Sequence, residues 1–90
     1  MSEKYEKAEL LSEKLDIPSD ISIGTAKLSI YGKSRILVEN HKGILHYSEN
    51  EIELSARGMS IKMLGDGLSI AAMDKNDMLI TGRILSVELN

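Results

Sequence analysis

The chain is 90 residues long and 9.9 kDa, room for one small hydrophobic core and one domain. It has no cysteine, 42% apolar and 28% charged residues, which excludes a disulfide framework, a thiolate metal site and wholesale disorder. The formal charge of −3 resides in residues 1–20, which hold six acids and three lysines. Residues 21–90 are balanced at eight acids and eight bases, with no basic cluster to neutralise a run of phosphates, so the reading carries no nucleic-acid partner.

Residues 3–15 have the spacing of an amphipathic helix. Tyr5, Ala8, Leu11 and Leu15 fall three and four apart, and Leu10 widens the stripe. Ser2 suits the N-cap, Glu3 and Glu6 suit the positive end of the dipole, and Pro18 stops the helix. At three to four turns it is marginal alone and must dock, either on a face of its own sheet or on a partner protein. Its acidic polar face argues against a membrane surface. Residues 1–18 are thus a helix and linker, and residues 19–90 a single all-β domain.

From Leu28 onward the period changes to two. Leu28 and Ile30 alternate with Ser29 and Tyr31; Ile52 and Leu54 with Glu51, Glu53 and Ser55; Met59, Ile61 and Met63 with Ser60 and Lys62. Leu68, Ile70 and Ala72 alternate with Ser69 and Ala71, and Leu85, Val87 and Leu89 with Ile84, Ser86 and Glu88. These are half-buried strands. Three further runs, 35–39, 43–47 and 78–82, are apolar on both faces and belong in central positions or beneath the helix.

Turn signals separate the runs: Gly32-Lys33-Ser34, Asn40-His41-Lys42-Gly43, Ser48-Glu49-Asn50, Arg57-Gly58, Gly65-Asp66-Gly67, Asp74-Lys75-Asn76-Asp77 and Gly82. Gaps of two to five residues suit hairpins and are too short for parallel crossovers. The pattern predicts about eight short antiparallel strands in a meander, a rolled sheet or small sandwich behind one N-terminal helix. A small β-solenoid is the alternative.

Few residues invite chemistry. His41 and His46 could share a metal, but zinc takes three or four ligands and no cysteine completes a set. His41 therefore reads as a polar loop residue, and His46 as a half-exposed strand residue opposite the core. Glu49, Glu51 and Glu53 cluster opposite Ile52 and Leu54, so they read as a solvated face rather than an acid–base pair. Asp74, Asn76 and Asp77 lack the spacing of a calcium loop, and Gly65-Asp66-Gly67 lacks the Lys and helix of a phosphate loop. No Gly-x-Ser-x-Gly is present. Met59 and Met63 have core spacing. The reading is of no catalytic, cofactor-binding or metal-binding residues, no cofactor and no enzyme. The N-terminus lacks the basic start and apolar run of a signal peptide, and no stretch nears the roughly 20 apolar residues of a membrane span, so a cytoplasmic protein without membrane insertion is expected.

The ordered pattern is similar to a known family. Leu15-Asp16-Ile17-Pro18 follows the helical lead-in. A strand ends at Gly32, and Glu39-Asn40-His41-Lys42-Gly43 comes next. The chain closes on Gly82-Arg83-Ile84-Leu85-Ser86-Val87. Together these resemble the YabP/YqfC family of sporulation proteins, nearer its YqfC-type branch. The chain departs from that pattern in lacking a proline within Gly24-Thr25-Ala26-Lys27 and an aromatic after Glu88. The resemblance implies a non-enzymatic protein of the mother cell, located at or near the forespore surface and acting in coat or cortex morphogenesis. Its implied partners are other sporulation proteins, among them a membrane-bound one. Self-association through strand edges at 27–31 or 84–89 is the physical expectation beside it. The alternative reading is a small all-β ligand-binding module unrelated to sporulation.

Overall fold

A computed structural model describes residues 24–90 of the chain. The helix expected at 3–15 lies outside these residues. Those described form β1 (Lys27–Tyr31), β2 (Arg35–Glu39), β3 (His41–Tyr47), β4 (Glu51–Ala56), β5 (Met59–Met73) and β6 (Asp77–Leu89). They make one open sheet in the order β1-β2-β6-β5-β4-β3, and every pairing is antiparallel. The mainly β, antiparallel expectation holds, and the solenoid alternative does not.

Six strands replace the eight expected, because two of the turn signals do not reverse the chain. Gly65-Asp66-Gly67 is a bulge inside β5: Asp66 pairs Arg83 and Ser69 pairs Thr81, so the ladder shifts and resumes. Gly82 sits in the matching place in β6. Both glycines are demanded by close approach. A Cβ at Gly65 would fall on the Arg83 carbonyl oxygen, and one at Gly82 (φ +134°) would lie 2.6 Å from the Gly67 carbonyl oxygen. The hairpin turns satisfy the backbone groups freed here. Gly65 and Leu68 donate to the carbonyls of Asn50 (3.0 Å) and Glu49 (2.8 Å) in the β3–β4 turn. Gly82 and Ile84 donate to those of Ser34 (3.2 Å) and Lys33 (2.8 Å) in the β1–β2 turn.

A second difference concerns Asn40-His41-Lys42-Gly43, which is not a hairpin turn. β2 and β3 are joined by Asn40 alone, yet they lie on opposite sides of the central β6–β5 pair. The simple meander therefore covers only β3 to β6, and the β1–β2 hairpin adds to the far side of β6.

One residue shows how the sheet bends. His41 pairs with Ala56, next to the start of β5, and its N–H donates to the Asn76 carbonyl (3.0 Å), just past the end of β5. Fifteen residues of straight strand would hold those ends about 45 Å apart. The β5–β6 hairpin is therefore folded over at the glycine corners, bringing its two halves face to face. Between them lies one cluster: Ile36 and Val38 of β2, Ile52, Leu54 and Ala56 of β4, Ile61, Met63 and Leu68 of β5, and Met78, Ile80 and Ile84 of β6. Each fully buried Ile, Leu or Met contributes about 1.5–3 kcal/mol.

The period-two pattern locates most of this core. It fails at the C-terminus, where Ile84 is buried and Leu85 is 61% exposed. The β5–β6 register steps from Gly65↔Ile84 to Leu64↔Ser86, leaving Leu85 as the extra residue of a bulge. Ile30 faces the core side but is 54% exposed, because β1 is an edge strand with no neighbour beyond it among the described residues.

Candidate functional site

The Glu39–Gly43 segment crosses the chain from one half of the sheet to the other. Asn40 takes φ 64°, a left-handed conformation that Asn tolerates better than most residues. Its N–H donates to Asp77 Oδ1 (3.3 Å) and its Nδ2 to the Thr25 carbonyl (3.1 Å). The kink turns His41 inward. Contrary to the loop reading, His41 is buried, and neither Nδ1 nor Nε2 has a hydrogen-bond partner among the described residues. Outside it lies a polar cleft of about 450 Å³ lined by Gly24, Asn40, His41, Lys42, Lys75 and Asn76. The adjoining β5–β6 turn is organised by Asp74, whose carboxylate accepts the N–H groups of Asp77 (2.7 Å) and Asn76 (2.9 Å). Those bonds hold the Asp74 carboxyl below its ordinary value.

The remaining sequence candidates scatter. His46 is exposed on β3, across from Glu53, with four residues of chain separating it from the buried His41. Among the described residues, no three His, Asp or Glu gather as a metal site. Glu51 and Glu53 lie on the side of β4 opposite the buried Ile52 and Leu54, and Glu49 is exposed in the turn before them. Met63 is fully buried and Met59 packs against the core, as their spacing predicts. A second surface cleft of about 410 Å³ lies over Leu37, Ala72, Met73 and Leu79. Leu37 and Leu79 belong to the runs that are apolar on both faces.

Apart from Met73 over that cleft, the exposed large apolar side chains among the described residues lie along strand edges. β3 is one edge of the sheet and carries Ile44, Leu45 and Tyr47, all exposed. Register shifts at His41/Gly43 and Ile44/His46 leave Lys42 and Leu45 as extra residues, so that edge is bulged twice. β1 is the other edge and exposes Ile30 and Tyr31. A third free edge is less obvious. Within β6, β2 pairs with residues 77–81, so the far end of β6 has β5 on one side and, among the described residues, no strand on the other. Leu85 and Leu89 are 61% and 60% exposed there. Sequence reading anticipated the edges at 27–31 and 84–89 and missed β3. Its apolar residues on both faces read as a strand either central or beneath the N-terminal helix; it is a bulged edge and not central, and the helix lies outside the described residues.

The family model of the YabP family matches residues 24–90, the whole of the described sheet. The chain belongs to the YabP family. A curated relative, the uncharacterized protein YqfC of Bacillus subtilis (strain 168), is 31% identical over 74 residues, covering 82% of this chain and 80% of the relative. No solved structure matches the chain. Two segments that carried the family resemblance have structural duties here. Glu39-Asn40-His41-Lys42-Gly43 makes the crossing between the halves of the sheet, and Gly82-Arg83-Ile84 makes the β6 corner. Among the described residues of this YabP-family chain, no helix is long and apolar enough to cross a membrane.

Proposed function

We propose that this YabP-family protein is a non-enzymatic assembly module of the sporulating mother cell. Its role is in spore-envelope morphogenesis, building coat or cortex, and it works from the cytoplasmic side at the forespore surface. The family resemblance supplies the biological setting. The observation that carries the mode of action is the set of free strand edges flanked by exposed Ile44, Leu45, Tyr47, Leu85 and Leu89. Unpaired backbone groups beside apolar side chains recruit another strand by main-chain hydrogen bonding. With three Tyr and neither Phe nor Trp in the chain, affinity comes from several modest contacts rather than one aromatic hot spot. The partners are other sporulation proteins, a membrane-bound one among them, and further copies of the chain.

The test is where and when the protein appears. A fluorescent protein joined by a long flexible linker is followed in the spore-forming host from growth into starvation. Signal confined to the mother cell after asymmetric division and gathering around the forespore is expected. Diffuse signal throughout vegetative growth, unchanged by starvation, overturns the role. The second reading, a small ligand-binding module, draws on the polar cleft beside His41. It predicts that a metabolite extract raises the melting temperature of the wild-type protein and leaves a His41→Leu variant unmoved.

A further inference from the structure

Beyond the reach of β2, the C-terminal part of β6 leaves one row of backbone groups without a strand partner among the described residues. Asn90 and Ser60 exchange N–H···O=C bonds in both directions (2.9 and 3.0 Å), so they form a hydrogen-bonded pair. From there the register runs unshifted through Leu89↔Ile61, Glu88↔Lys62, Val87↔Met63 and Ser86↔Leu64. In an antiparallel ladder, hydrogen-bonded and non-hydrogen-bonded pairs alternate. Glu88 and Ser86 therefore bond to β5, while Val87 and Leu89 turn their N–H and C=O groups outward. The β1–β2 turn reaches this side of β6 only as far as Ile84.

We propose that two copies of this chain pair antiparallel through residues 85–89, about a two-fold axis at Val87. The proposal deepens the assembly reading and rests on it. The sequence around Val87 is self-complementary in this arrangement. Leu89 of each copy lies opposite the partner's Leu85, so the two most exposed leucines of β6 cover each other. Ser86 lies opposite the partner's Glu88, and Glu88 already has Lys62 beside it in its own sheet, so no uncompensated like charges meet across the axis. The half-sheet β3-β4-β5-β6 then continues into its partner. The other edges suit self-pairing less well: β3 is bulged twice within seven residues, whereas the 85–89 stretch is bulged only at Leu85, its outer end, and β1 starts at the exposed Lys27. Five residues per copy make a small contact, in the class that buries less than about 1,200 Å², so the dimer is weak and dependent on concentration.

The chain has no cysteine, so a single introduced one reports only its own symmetry mate. Hydrogen-bonded antiparallel residues have Cα atoms about 5.5 Å apart, within disulfide range. Full-length protein carrying Val87→Cys is oxidised and run on a non-reducing gel, beside Ile30→Cys on β1 and Leu45→Cys on β3. The expected result is a covalent dimer from Val87→Cys, several-fold more abundant than from either control. In sedimentation, the wild-type mass rises with concentration and a Val87→Pro variant, lacking the outward N–H, loses that rise. Folding of each variant is checked by circular dichroism; should Val87→Pro unfold, the cross-link decides. A monomeric Val87→Cys protein at concentrations where wild type associates overturns the proposal, as does stronger cross-linking through Ile30→Cys or Leu45→Cys. Those outcomes leave the forespore reading standing on another contact. A diffuse vegetative signal with an intact dimer overturns the sporulation role and keeps the pairing.

Discussion

His41 is a buried imidazole whose two nitrogens find no partner among the described residues. Leaving a buried polar group unpaired costs about 1–3 kcal/mol. An apolar side chain of similar size removes that penalty. His41→Leu is therefore expected to raise stability by about 1 kcal/mol in urea unfolding. His41→Ala empties the site and falls about 2–3 kcal/mol below His41→Leu. A His41→Leu protein less stable than wild type would show that the imbalance is met by a partner beyond residues 24–90. Asp74 acts at the neighbouring turn through its two accepted N–H groups. Because its folded-state value is depressed, its stabilisation is present above the ordinary carboxylate range and is lost as pH falls through the lower folded value. As pH falls through and below the ordinary carboxylate range, Asp74→Asn is expected to flatten the acid limb of the stability curve, as read by unfolding at each pH.

The long strands β5 and β6 owe their shape to glycine. The corner at Gly65–Leu68 packs against the corner at Gly82–Ile84 so closely that neither Gly65 nor Gly82 has room for a Cβ. Gly82→Ala adds the strain of a positive φ to the clash, so a loss of about 3 kcal/mol or more is expected from chemical denaturation. Gly32 and Gly58 also have positive φ, with open space around their Cβ positions, so alanine there costs less, about 1 kcal/mol. This contrast separates glycines that bend a strand from glycines that end one. It is also why two turn signals misled the strand count. Gly-Asp-Gly serves a hairpin and a bulge equally well in local terms, and the difference lies in whether the next strand pairs with the last or continues its ladder. The edges show the same limit. The pattern at 43–47 reads as central or beneath the N-terminal helix, but the strand order places it outermost, with bulges at Lys42 and Leu45.

Residues 24–90 form an open sheet bent double over one core, with most of their exposed large apolar side chains at its edges. Openness is what distinguishes it from a closed barrel, which has no edge to offer. If assembly proceeds through the β6 edge, replacing both Leu85 and Leu89 with Asp is expected to abolish association while leaving the thermal transition within a few degrees of wild type, since both side chains are already exposed. Size-exclusion chromatography across a concentration series reads the first effect and calorimetry the second. A large drop in the transition temperature would instead assign these leucines to the core.

Much was legible in the sequence because it is local. Period-two alternation places Ile52, Leu54, Ile61, Met63 and Leu68 inside, since successive side chains of a strand must point to opposite faces. Hairpin-length gaps dictate antiparallel pairing, and the ordered motifs carry the YabP family. What the tertiary structure alone decided is which strands meet and where the sheet folds. His41 is buried because Asn40 turns the chain across the fold and the glycine corners bring the two ends of β5 together. No periodicity records that event, because it depends on pairings between segments some 35 residues apart in the chain, such as His41 with Asn76.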